Sequence, residues 1–281
     1  MRNISVNLIK SVVKELFAEC NISLESNEKQ LLVNARNNEN EQTAKDIMDT
    51  LIENLETAEK EKCPICQDTG MAIVFLEIGQ DVHLVDGDLE KAINDGVKEA
   101  YLESFFRLSV FNDPLFERIN TNDNTPAVIY TRIVSGENVK ITAIPKGFGS
   151  ENKSQIKMFN PTATVDSIVD FVVEVAKIAG SSACPPFFIG VGIGGTFDYC
   201  AYMAKMALTR GSNTHNKDPK YAELETIILN KINDTNIGPQ GFGGKTTALG
   251  VNIEYYPTHI AGLPVAVNIC CHAMRHKSKV I

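Results

Sequence analysis

Cationic residues are scarce in this chain and nowhere clustered. Lys and Arg number 27 against 35 Asp and Glu in 281 residues, a formal charge of −8 with a pI near 5.2. Affinity for phosphate chains comes chiefly from clustered Lys and Arg, so nucleic acid is not an expected partner. No apolar run approaches the roughly 20 residues that a membrane-spanning helix needs. The start, Met1-Arg2-Asn3-Ile4-Ser5, lacks the charged and apolar regions of a secretory signal. A disulfide framework is also missing: seven cysteines are an odd number spread over a long chain, which suits a reducing compartment where thiols bind metal or lie buried. A cytoplasmic protein is expected. The remainder, 43% hydrophobic and 22% charged, is an ordinary globular balance that can fill a sizeable core.

Two periodicities divide the chain. Leu8, Val12, Val13, Leu16, Phe17 and Cys20, and later Ile47, Leu51, Ile52 and Leu55, recur at three-and-four spacing, so the first sixty residues read as amphipathic helices. The polar run Asn27 to Lys62 fits surface helices. Met71 to Ile78 reads as a strand, and Asp88 opens a helix to about Phe105 with Leu89, Ala92, Ile93, Val97 and Tyr101 on one face. Asn112 to Pro126 is a loop. Ala127 to Val134 and Val139 to Pro145, joined by Ser135-Gly136-Glu137-Asn138, predict a hairpin. Helices are expected over Thr164 to Gly180, Phe197 to Leu208 and Lys220 to Ile232, and strands over Phe187 to Ile193, Ala248 to Tyr255 and Leu263 to Ile269. The fold class is mixed α/β (α+β), with a helical region over 1–60 packed on a main domain over 61–281.

Two glycine-rich stretches invite a nucleotide reading, and both fail it. Gly190, Gly192 and Gly195 satisfy G-x-G-x-x-G between a strand and a helix, but the second strand with its acidic end is replaced by the loop 210–216. Close backbone packing is the better account. Gly238 to Thr247 misses the phosphate-loop spacing by one residue and leads into a strand, not a helix. It reads instead as a glycine-rich turn shaping an anion pocket. Gly147 and Gly149, at the exit of the expected hairpin, let backbone amides approach a ligand closely.

The cysteines sit where chemistry usually does, in loops bordering strands. Lys62-Cys63-Pro64-Ile65-Cys66-Gln67-Asp68-Thr69-Gly70 packs two thiols, an amide and a carboxylate into one turn; Ala183-Cys184-Pro185-Pro186 and Asn268-Ile269-Cys270-Cys271-His272 are the other thiol-bearing borders. Cys63 and Cys66 alone admit a zinc half-site or a redox pair. Zinc wants four closed ligands, and adjacent Cys270 and Cys271 point to opposite faces of an extended chain. No helix begins at Cys63 to lower a thiolate pKa. Three thiolates from three distant loops suit an iron–sulfur cluster with one iron free of protein ligands.

Several blocks in order carry a resemblance: Cys66-Gln67-Asp68-Thr69-Gly70, Gly149-Ser150-Glu151-Asn152-Lys153-Ser154, Cys184-Pro185-Pro186, Gly190 to Thr196, Gly238 to Thr247, and Pro257-Thr258-His259 through Cys271. From about Cys66 to Arg275 the chain resembles the class I iron–sulfur hydro-lyases, within them the α subunits of two-subunit fumarate hydratase or L(+)-tartrate dehydratase. The resemblance implies an α/β catalytic domain and a [4Fe-4S] cluster held by Cys66, Cys184 and Cys271, the last lying twelve residues after His259 as the family's ligand does. It further implies that Gln67, Asp68, Arg107, Gly149 and His259 face the substrate, with Gln67, Arg107 and Gly149 binding it and Asp68 and His259 serving catalysis. Cys63 and Cys270 are extra thiols, and Phe148 stands where a small residue is more usual.

The activity so implied is the reversible hydration of fumarate to L-malate, or the corresponding reaction of L(+)-tartrate or mesaconate. Arg107 suits a substrate carboxylate because its planar fork binds both oxygens; His259 and Gln67 suit the hydroxyl side; Asp68 would orient or trade protons. In the family, the base and further cationic residues belong to a β subunit that this chain lacks, so a heterodimer or its dimer is expected. The rival class is a non-catalytic cluster or metal carrier, which has no need of the carboxylate-binding groups present here.

Overall fold

A computed structural model describes residues 1–211 and 213–281 of the chain; Ser212, in the loop expected at 210–216, lies outside the described residues. In chain order the elements are β1 (Arg2–Ser5), α1 (Val6–Ile22), α2 (Ser26–Asn38), α3 (Gln42–Glu61), β2 (Met71–Gly79), β3 (Val82–Val85), α4 (Leu89–Glu103), β4 (Val128–Val134), β5 (Val139–Lys146), α5 (Phe148–Glu151), β6 (Gln155–Phe159), α6 (Val165–Ala179), β7 (Phe187–Gly194), α7 (Phe197–Ala207), α8 (Pro219–Asn233), β8 (Ala248–Tyr256), β9 (Leu263–Cys270) and β10 (Lys277–Val280). Helices and mixed sheets together make the expected α+β class. No helix among the described residues is long and apolar enough to cross a membrane.

The chain divides into two compact units, each drawn from separated segments. One contains residues 1–25, 55–148 and 275–281, the other 26–54 and 149–274. The helical stretch 1–60 therefore contributes to both.

The first unit is built on the sheet β10-β5-β2-β4. Its middle strand β2 is buried at nearly every position, and α1 and α4 pack against each other with α1 also lying on β5. Ile9, Val13 and Phe17 of α1 meet Val74 and Leu76 of β2, Ile141 of β5 and Val97 and Tyr101 of α4 in one core. Leu8, expected on that face, is exposed; the buried face runs through Val6 and Ile9 instead. Asp88 caps α4 as expected, accepting the amide of Lys91 at 2.7 Å.

The predicted hairpin does not form. β4 and β5 have the expected bounds, but β2 lies between them, paired parallel to β4 and antiparallel to β5. The link Ser135–Asn138 passes over the end of β2, where Gly79 donates to Asn138 O at 2.8 Å and an added Cβ would strike Gly136. An apolar strand flanked on both edges satisfies its whole backbone, and short-range spacing cannot see a third strand inserted from earlier in the chain.

The second unit carries the sheet β6-β9-β7-β8. Strand alternation sends Ile189, Val191 and Ile193 of β7, with Val251 and Ile253 of β8, into a core with α6 and α8. The intervening glycines face α7: an added Cβ on Gly190 would strike Ala204 O, and one on Gly192 would strike Cys200 O. The glycine fingerprint is thus a close helix–strand contact. Thr164 and Gly180 cap α6 at its two ends, the glycine with φ +46°. β1, β3, β6 and β10, absent from the sequence reading, are four- or five-residue strands too short to show a period.

Candidate active site

In the first unit the turn Cys66 to Gly70 is held from several sides. Asp68 Oδ1 accepts the amide of Gly70 at 3.0 Å, an Asx turn, and Oδ2 accepts the amide of Phe148 at 2.8 Å. Two backbone donors fix the direction of the carboxylate. Beside it stands the buried guanidinium of Arg275: a Cβ built on Gly147 would lie 3.2 Å from Asp68 Oδ2 and 3.3 Å from Arg275 Nη2. Arg275 Nη1 donates to Asn21 Oδ1 at 2.8 Å. Buried Tyr101, its phenol kept protonated by burial, donates to Thr69 O at 2.7 Å and lies within 3.1 Å of Gly70 O. Asn124, also buried, donates to Gly70 O and accepts from Ser109 N.

Cys66 and Arg107 are drawn together by this frame. The Cys66 sulfur accepts the amide of Asp68 at 3.4 Å and lies 3.5 Å from Gln67 Oε1. Thr69 Oγ1 donates to Arg107 O at 3.0 Å, tying the arginine's loop to the turn. Gln67 and Arg107 are exposed, Cys66 and Asp68 half-buried. The first unit therefore ties the turn that carries Cys66, Gln67 and Asp68 to the backbone of Arg107. Sequence reasoning missed the supporting Arg275, Asn21, Tyr101 and Asn124, which lie at scattered positions; only the buried hydroxyl and amides among apolar neighbours hinted at them.

In the second unit Cys184 follows the 3-10 turn Gly180–Ala183 with φ +52°, in the left-handed region, and is exposed. His272 N donates to Cys184 O at 3.3 Å, which brings the Cys271 loop to it. Gly149, exposed in α5, faces the same turn, since a Cβ there would lie 3.8 Å from Ser182 O. Cys184, Cys271 and Gly149 are thus neighbours.

His259 is not among them. Its Nδ1 accepts the amide of Ala261 at 3.2 Å, leaving the proton of the neutral ring on Nε2. It lies three residues beyond β8, past the end of the sheet where Gly194 pairs with Tyr256, while Cys184 and Cys271 border the other end, where Phe188 pairs with Cys270. An eight-residue strand separates the two ends by roughly 25 Å. Within one chain, His259 thus stands apart from Cys184 and Cys271. The twelve residues from His259 to Cys271 run the full length of β9, which carries the chain from one end of the sheet to the other.

The thiols sort by environment. Among the described residues none of the seven cysteines forms a disulfide. Cys20, Cys200 and Cys270 are buried; burial raises the Cys20 thiol and pushes that of Cys200 up to about 12, so both stay protonated at neutral pH. Cys66, Cys184 and Cys271 reach solvent at least in part, as does Cys63. Cys270 ends β9 inside the fold, and Cys271 is half-buried. Partly exposed thiols, one already accepting an amide hydrogen, are a donor set that fits an iron–sulfur cluster. Among the described residues no three His, Cys, Asp or Glu side chains gather as the ligands of a single ion would.

The anion pocket expected at Gly238 to Thr247 is filled from within. The carboxylate of Glu39, 2% exposed, accepts the amides of Lys245 at 3.0 Å and Thr246 at 2.6 Å. The glycine-rich loop holds the chain's own anion.

Comparison with known proteins agrees with the motif set. The family model "Fumarate hydratase (Fumerase)" matches residues 10–280. A Methanocaldococcus jannaschii protein provisionally named L(+)-tartrate dehydratase subunit alpha is 39% identical over 277 residues, 97% of each chain. The L(+)-tartrate dehydratase subunit alpha of Escherichia coli K12 is 28% identical over 281 residues, 99% of this chain and 92% of its own.

Proposed function

The chain belongs to the fumarate hydratase family, and on that premise we propose that it is the α subunit of a two-subunit hydro-lyase that adds water to fumarate to give L-malate. The observation that carries the reading is the single loop cluster of the first unit, where Cys66, Gln67, Asp68 and Arg107 are held by Thr69 and by backbone amides. A metal carrier has no use for a carboxylate and a guanidinium so placed. A second diacid, L(+)-tartrate, is favoured by the names of the relatives.

In this reading Cys66, Cys184 and Cys271 hold a [4Fe-4S] cluster. When bound, it supplies a Lewis-acidic iron for the substrate oxygen. Arg107 pairs with one substrate carboxylate through both oxygens. Gln67 hydrogen-bonds the hydroxyl side, and the amide of exposed Gly149 is open to the substrate. Asp68, fixed by Gly70 and Phe148, orients the reacting groups and exchanges protons with them. The general base and the second carboxylate clamp are assigned in this reading to a β subunit; that a partner subunit exists is what the "subunit alpha" names of the relatives suggest.

The test is anaerobic reconstitution of the chain with iron and sulfide, alone and with its β partner, followed by assays with fumarate, mesaconate and L(+)-tartrate. Turnover by the cluster-loaded pair supports the reading, and the preferred diacid decides between the two substrates. A pair that binds a cluster and transforms none of the three diacids would return the protein to the carrier class.

A further inference from the structure

Gln240 sits at the centre of the 3-10 turn Pro239–Gly241, and its backbone has φ +51°, in the left-handed region that non-glycine residues avoid. Such a conformation persists only where surrounding contacts over-determine it. Here they do. Gln240 N donates to Pro185 O at 2.8 Å and its side-chain Nε2 donates to the same oxygen at 2.7 Å. Nε2 also lies 3.3 Å from His272 Nδ1. One amide thus reaches both the residue that follows Cys184 and the residue that follows Cys271.

We infer that Gln240 is a positioning residue that clamps the Cys184 loop to the Cys271 loop and so sets the spacing of two thiol ligands. The inference rests on the cluster reading above and adds a residue that touches neither substrate nor thiol. Several features hold the clamp itself. Gly241 packs so closely on Ser181 that a Cβ would strike its side chain, and Gly238 N donates to Thr247 Oγ1 at 3.1 Å. Gly243 N donates to Ile237 O at 2.8 Å, closing the turn, and Glu39 pins the amides of Lys245 and Thr246 just beyond. The loop is therefore anchored on both sides of Gln240, and the amide side chain is the part that faces outward to the two cysteine segments. His272 completes the contact, since its N and Nδ1 both approach Cys184 O, at 3.3 and 3.2 Å.

Two substitutions separate the side chain from the backbone. Gln240→Gly relaxes the left-handed backbone and deletes the clamp, so its thermal midpoint should stay at or above that of the parent chain. Gln240→Glu keeps the size and the backbone bond to Pro185 O, and its side chain cannot donate there. In the reconstituted full chain both should lose iron to a chelator about 10- to 100-fold faster than the parent, the range that outer partners of metal ligands command. The chain without metal gives an independent readout: amide hydrogen exchange should rise at Cys184 and Phe187 and over 271–274 and stay unchanged in α6 and β7 beyond Phe188. Unchanged exchange in those segments, or unchanged iron loss in a loaded chain, would overturn the clamp. If the parent binds no cluster while exchange rises selectively, the clamp stands and the cluster reading falls.

Discussion

The hydroxyl of buried Thr69 donates to the backbone carbonyl of Arg107 at 3.0 Å across 38 residues of chain. That bond makes the Cys66 turn and the arginine loop one body. An arginine that clamps a carboxylate is useful only if its stem is anchored relative to the reacting centre, because small misplacements cost large factors in rate.

Thr69→Val keeps the shape and removes the donor. In the assembled enzyme, the KM for the diacid should rise on the order of five- to tenfold, the worth of about one net hydrogen bond, with the cluster content unchanged. Arg107→Lys should raise KM by more, since a point charge replaces a two-pronged fork. Steady-state kinetics with the β partner present make the measurement; a Thr69→Val enzyme with parental KM would show that the tie is structural only.

Cys66→Ser, Cys184→Ser and Cys271→Ser should each abolish the reconstituted cluster, read as iron and sulfide content and by electron paramagnetic resonance. Cys63→Ser and Cys270→Ser should keep it, as should His259→Asn, whose ring lies at the far end of the β7–β8–β9 sheet. Loss of the cluster in Cys270→Ser with retention in Cys271→Ser would reverse the ligand assignment.

Hydratase activity of the pair should decay in air and return with ferrous iron and a reductant, because an iron without a protein ligand is the first to leave on oxidation. Full activity after prolonged aeration with a chelator would remove the cluster from the mechanism.

The isolated, cluster-loaded chain should be essentially silent. It offers one arginine for a doubly charged diacid, and an unpaired charge in a water-poor site costs several kcal/mol; a missing general base forfeits about 10² to 10⁴ in rate. Adding a β subunit should restore turnover, with both chains co-eluting. Robust fumarate hydration by the chain alone would place the base here.

Glu39→Ala should destabilise the second unit by about 1 to 3 kcal/mol, because two loop amides lose a charged, buried acceptor. The chemical-denaturation midpoint reads the change. Gly192→Ala should cost about 1 to 3 kcal/mol by forcing a Cβ into the backbone of α7, and binding of a nicotinamide dinucleotide should be absent in parent and variant alike.

Local pattern determined much of this protein. The periods of α1, α4, α6, α7 and α8 and the apolar runs of β2, β7, β8 and β9 were legible because each buries a face whose spacing is written in consecutive residues. The cysteine loops and the Asp68 turn were legible for the same reason, since their chemistry is contiguous. Tertiary structure decided the rest. It placed β2 between β4 and β5, because strand pairing depends on edges supplied from distant segments. It turned the anion pocket of the glycine loop inward onto Glu39, 206 residues from Lys245. It also separated His259 from Cys271, since an antiparallel strand carries twelve residues of sequence from one end of a sheet to the other. Spacing along a chain becomes distance in space only once the direction of each strand is known.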